Sequence, residues 1–107
     1  MNNTLQEQIT DRIEELDLKE EYDLCNAWES LKYLRKEYDD YSFYTGDKTP
    51  TFKDWYEAQK QTWLNGSGSI TDIDYWVSDI ENLNNTDIST SDYELFDKYF
   101  NLVLDNK

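Results

Sequence analysis

Leu24-Cys25-Asn26-Ala27-Trp28-Glu29-Ser30-Leu31-Lys32-Tyr33-Leu34 is the stretch that decides the fold. Leu24, Ala27, Trp28, Leu31 and Leu34 recur at steps of three and four, which line one face of an α-helix. The stripe continues to Tyr38 and Tyr41. Upstream, Leu5, Ile9, Ile13 and Leu16 follow Thr4-x-x-Glu7, a capping-box pattern. A further start is expected near Asp17-x-x-Glu20. No Gly or Pro divides the two stretches, so one bent helix and two helices both fit residues 4–41.

Downstream the same period returns. A loop is expected through Tyr44-Thr45-Gly46-Asp47-Lys48. Thr51, just after Pro50 and three residues before Asp54, reads as the cap of a helix carrying Phe52, Trp55, Tyr56, Gln59, Trp63 and Leu64. Asn65-Gly66-Ser67-Gly68 should stop it. Ser69 or Thr71 restarts the chain with Ile73, Trp76, Val77, Ile80 and Leu83 on one face. After Asn84-Asn85-Thr86, Ser91-x-x-Glu94 is the expected start of a last helix bearing Leu95, Phe96, Tyr99, Phe100, Leu102 and Val103. Period-2 alternation is absent. The reading is all-α, a small bundle of four to five helices. Its core should gather Ile13, Leu24, Trp28, Leu31, Trp55, Trp76, Ile80, Phe96 and Phe100.

At 107 residues the chain suits one domain, 1–107. It carries 24 Asp and Glu against 10 Lys and Arg, a net charge of −14, with no His and one Cys. Leu, Ile, Val and Phe make up about a fifth of it, which with that charge borders on the composition of disorder. Four Trp and nine Tyr restore the capacity for a core, because each ring buries a large area.

The charge excludes several roles. Nucleic acid and anionic membranes would repel the chain directly. Met1 to Glu7 has neither the basic end nor the apolar run of a signal peptide, and the lone Cys25 suits a reducing compartment, so a cytoplasmic location is expected. Catalysis finds little to work with. There is no His to act as general base or metal ligand, one Cys builds no zinc site, and no phosphate loop or nucleophile elbow occurs. Cys25 beside the apolar stripe reads as a small buried hydrophobe. Calcium loops fail too. From Asp87 the sixth and twelfth positions are Asp92 and Lys98, and from Asp47 they are Phe52 and Ala58, where Gly and Glu are required. The expectation is a protein without enzymatic activity, cofactor or metal.

What remains is the acid itself. Residues 1–31 hold nine acids and two bases, residues 32–60 six of each, and residues 61–97 eight acids and no base. Carboxylates fixed on a surface can imitate phosphates. Duplex DNA spaces its charges about 3.4 Å apart along a strand, and helical acids four apart sit roughly 6 Å apart along the axis. Glu7, Asp11, Glu14 or Glu15, and Glu21 could form such a row. Asp74, Asp79, Glu81 and Asp87 rank first as partner-binding residues, because no base lies between Gln61 and Asp97. Glu14, Glu15, Glu20 and Glu21 come second. Tyr33, Asp39, Asp40, Phe43 and Tyr44 add rings and acids suited to an interface.

In composition, though not in any motif, the chain resembles small acidic inhibitors of phages and mobile elements, including anti-CRISPR and anti-restriction proteins. It also resembles acidic immunity proteins that neutralise nuclease toxins. The resemblance implies a partner that is a basic nucleic-acid-binding protein: a CRISPR effector nuclease, a restriction enzyme or a nuclease toxin. An acidic helical scaffold is the third alternative.

Overall fold

The computed structural model describes residues 4–66 and 71–105. Within them the chain forms five α-helices and no strand: α1 (Leu5–Leu18), α2 (Tyr22–Thr45), α3 (Phe52–Asn65), α4 (Asp72–Glu81) and α5 (Thr90–Asp105). Short 3-10 turns at Gly46–Lys48 and Leu83–Asn85 follow α2 and α4. The all-α reading holds.

The caps explain most boundaries. The hydroxyl of Thr4 accepts from the Glu7 amide and that of Thr51 from the Asp54 amide, each satisfying a first-turn donor. Gly66 ends α3 in the left-handed conformation, φ +61°. Ser67, Gly68 and Ser69, also expected at this turn and restart, lie outside the described residues. The last helix begins earlier than the Ser91 cap expected from sequence. The Ser89 hydroxyl accepts from the Asp92 amide instead, which leaves the Asp92 carboxylate free to turn inward.

Residues 4–41 form two helices, and Asp17-x-x-Glu20 closes the first rather than opening the second. The amide of Glu20 donates to the Asp17 carbonyl (3.1 Å) and that of Glu21 to the Leu16 carbonyl (3.0 Å). This double bond pattern is a Schellman turn, which needs one residue at positive φ. Glu20 takes that place, at φ +61°, where glycine is usual. Replacing Glu20 by Gly should therefore raise stability by about 0.5–1 kcal/mol, the relief of left-handed strain exceeding the entropy that Gly adds to the unfolded chain. Urea melts of the two proteins check this, and a less stable Gly variant would show that no strain is held there. The turn also ends the supposed row of acids, since Glu21 no longer follows Glu14 along one axis.

Helix α2 is the centre of the fold and touches all four of the others. The chain reverses after α1, bringing the Cys25 thiol to the Ile13 carbonyl (3.7 Å). The shortest dimension of the molecule is 19 Å, about two helix diameters of ~10 Å. So thin a body has a small interior. Ile13, Leu24, Trp28, Leu31, Trp55, Ile80 and Phe96 are buried in it as expected, with Ile9, Leu34, Phe52, Tyr56, Val77 and Leu83 beside them. Trp76 and Phe100 pack against this core but are only half-buried. Trp76 is covered on one face by Tyr33, stacked at 5.3 Å and 23°. No helix is long and apolar enough to cross a membrane among the described residues.

Candidate acidic interface

The two acid-rich stretches of sequence meet at one place. The turn between α1 and α2 lies against the segment leading into α5, and between them opens a cleft of about 480 Å³. Glu20, Glu21 and Asp23 line one side and Asp87 the other, with Tyr22 and Ile88 supplying apolar surface. All four carboxylates are exposed, and none makes a side-chain hydrogen bond or ion pair among the described residues. Asp23 was not singled out by sequence reasoning, although the run Glu20-Glu21-Tyr22-Asp23 signalled it. Glu14 sits near a neighbouring cleft with Asp17 and Glu29, on the other side of Tyr22.

The nearby cations Arg12 and Lys19 are engaged by other acids. Arg12 lines the cleft and grips Asp92 with two bonds, Nε to Oδ1 at 2.7 Å and Nη2 to Oδ2 at 2.9 Å. Its other terminal nitrogen reaches Glu15 at 3.2 Å, and Lys19 also binds Glu15 at 3.1 Å. Glu15, expected among the free acids, is thus balanced by two cations. Asp92 is buried, and its hydrogen bonds from Arg12 hold its carboxyl below the usual carboxylate range, helped by Ser89 against the cost of burial. This forked pair ties α1 to α5 across 80 residues of sequence.

Removing it should matter. Asp92→Asn is expected to cost about 2 kcal/mol at neutral pH, the scale of charge-assisted hydrogen bonds. A carboxyl depressed in the folded state stabilises above its ordinary value, near 3.9, and loses that contribution as pH falls through the folded value. The stability gap between wild type and Asp92→Asn should therefore stay constant down to about pH 4 and close below it. A gap unchanged at about pH 2 would mean the carboxylate charge is not what holds the helices.

The first-ranked acids divide. Asp87 stands in the cleft. Asp74 belongs to the cap of α4: its carboxylate accepts from the Thr71 amide (3.2 Å) while the Thr71 hydroxyl accepts from its own (3.4 Å). Asp79 is exposed but accepts from the Ser30 hydroxyl at 2.7 Å, joining α4 to α2. Glu81 is half-buried. It accepts from the hydroxyl of the buried Tyr56 at 2.7 Å and pairs with Lys60 at 3.3 Å. Burial and the nearby Glu81 charge push the Tyr56 hydroxyl well above its usual range, so it stays a donor. The stretch without a base is therefore balanced from outside it, by Lys60 at Glu81 and Arg12 at Asp92. Sequence spacing cannot show such pairs.

The aromatic candidates also separate. Tyr33 offers one face, because Trp76 takes the other. Tyr38 is half-buried and its hydroxyl donates to the Pro50 carbonyl at 2.6 Å, whereas Tyr41 is exposed. Asp39 pairs with Arg35 at 3.4 Å, and Asp40 is exposed. Phe43 and Tyr44 are 84% and 85% exposed at the end of α2, far from the cleft.

Among the described residues no three His, Cys, Asp or Glu side chains are placed to hold a metal ion. Cys25 is buried, and burial raises its thiol above the usual range, as do the charges of Asp17 and Glu29; this keeps it a poor nucleophile. No family model, curated protein or solved structure matches the chain.

Proposed function

We propose that this chain is a non-enzymatic, cytoplasmic inhibitor that binds a basic, nucleic-acid-handling protein and occludes its groove. In this reading it acts as an acidic mimic of DNA or RNA, as phage or mobile-element anti-CRISPR and anti-restriction proteins do. The target would be a CRISPR effector nuclease or a restriction enzyme.

One observation supports this above the rest: Glu20, Glu21, Asp23 and Asp87 converge on one cleft with no ion pair among the described residues, while nearby Arg12 and Lys19 are bound to other acids. A partner's Lys and Arg would find carboxylates there without first displacing an internal cation. The net charge of −14 adds long-range steering toward a basic groove. Tyr22 and Ile88 give the cleft an apolar wall on which such side chains can lay their stems.

Occlusion makes a concrete prediction. A partner captured from the native host should lose its nucleic acid as this chain saturates it, and an excess of duplex should release the chain. A partner that binds nucleic acid equally well when saturated would contradict the proposal.

A further inference from the structure

Tyr22 lines two clefts. One holds the acids of the proposed interface, and the other is a second cavity of about 390 Å³ between α1 and α2. Glu14 and Asp17 of α1 and Glu29 of α2 border that second cavity, and all three are exposed. Neither Glu14 nor Asp17 makes an ion pair among the described residues.

The cavity already holds a cation of the chain itself. Lys32 Nζ lies 5.5 Å from the centre of the Trp28 ring and 3.3 Å from Glu29 Oε1, and all three residues line the cavity. An aromatic ring and a carboxylate within reach of one charge are the groups that bind organic cations. The ring is fixed, because Trp28 is buried and packs on Tyr99 of α5 at 5.0 Å. The internal cation is held loosely. The side chains of Lys32 and Glu29 are each 53% exposed, and an ion pair so open to water adds little to stability.

A guanidinium suits this place better than the ammonium of Lys32. It is planar, stacks on an aromatic face and meets a carboxylate with two parallel bonds, whereas an ammonium is a strongly hydrated point charge. Glu14 and Asp17 add two carboxylates on the wall that α1 supplies, so three acids face one internal lysine. The exposed ring of Tyr22 borders both clefts, and one basic segment can lay a side chain on either side of it. We infer that the cavity between α1 and α2 is a seat for an arginine side chain of a basic partner, which displaces Lys32 from Trp28 and Glu29 on binding. This rests on the proposed binding of a basic protein and extends its contact surface across Tyr22; it does not depend on occlusion of a groove.

Labelled octa-arginine and octa-lysine peptides test it, titrated with the full chain at about 50 mM NaCl and followed by fluorescence anisotropy. Lys32→Gln should raise the affinity for octa-arginine at least about threefold more than Lys48→Gln, which removes the same charge beyond the far end of α2. Glu14→Gln/Asp17→Asn should lower that affinity at least about fivefold and Tyr22→Ala at least about threefold, with far-UV dichroism showing the helices retained. The preference of the wild type for octa-arginine over octa-lysine should shrink in the Glu14→Gln/Asp17→Asn variant, which a general effect of net charge would not produce. A Lys32→Gln variant that gains no more than Lys48→Gln would overturn the seat, and so would an unchanged affinity in the Glu14→Gln/Asp17→Asn variant. If either result came while reversal at Glu20, Glu21, Asp23 and Asp87 still weakened the peptide, the seat would be wrong and the first cleft would stand. A wild type that binds neither peptide up to about 1 mM would overturn the seat and the basic partner together.

Discussion

Replacing Trp28 with alanine is expected to remove about 3–5 kcal/mol of stability. Trp28 is 8% exposed and sits in the second turn of the helix that every other helix touches. Its ring meets Tyr99 of α5 at 5.0 Å, tilted by 44°, and Lys32 lies over it at 5.5 Å. In a body two helices thick there is no second layer to collapse into the void, so the cavity persists and adds to the lost transfer energy. Set against a total of roughly 5–15 kcal/mol, the loss brings the domain close to unfolding at ordinary temperature. Trp28→Phe keeps an aromatic partner for Tyr99 and should lose less. Urea denaturation of the three proteins decides the matter. A loss below about 1 kcal/mol for the alanine variant would show that the core is centred elsewhere.

The fold was largely legible because its signals are local. Apolar residues at helical spacing, threonines three residues before an acid, and glycine past a helix end each report on one or two turns of chain. The break between α1 and α2 was not legible. It rests on Glu20 adopting a left-handed conformation for which no Gly or Asn prepares the reader. Tyr41 and Trp76 lie on apolar stripes, yet Tyr41 is exposed and Trp76 only half-buried, so periodicity overstated their burial.

The candidate site was legible by half. Sequence placed acids in two blocks and named Glu20, Glu21 and Asp87, but the pairing of those blocks in one cleft depends on how α1 packs against α5. Other acids are engaged within the fold, Asp79 and Glu81 by tertiary contacts and Asp74 and Glu15 by local ones. Asp74 serves a cap, Asp79 receives a serine, Glu15 takes two cations and Glu81 a lysine and a tyrosine. Each of those partners lies on the opposite side of a turn or on another helix, or, for Glu15, on its own helix face. Counting charges along the chain cannot distinguish an acid that holds the fold from one that faces a partner.

That distinction fixes the second large effect. Charge reversal at Glu20, Glu21, Asp23 and Asp87 should leave folding nearly intact, because these side chains are exposed and make no ion pair among the described residues. It should weaken association with a basic partner at least about 100-fold, since four attractive contacts become repulsive. Reversal at Asp74, Asp79 and Glu81 should instead lower stability, by uncapping α4 and stranding Tyr56 and Lys60. The most direct measurement is the salt dependence of binding, wild type beside the Glu20→Lys/Glu21→Lys/Asp23→Lys/Asp87→Lys variant, on the captured partner. The wild type should bind less tightly as salt rises, and the variant should bind weakly with a nearly flat dependence. A variant that kept both the affinity and the salt slope of the wild type would contradict the acidic cleft as the binding surface.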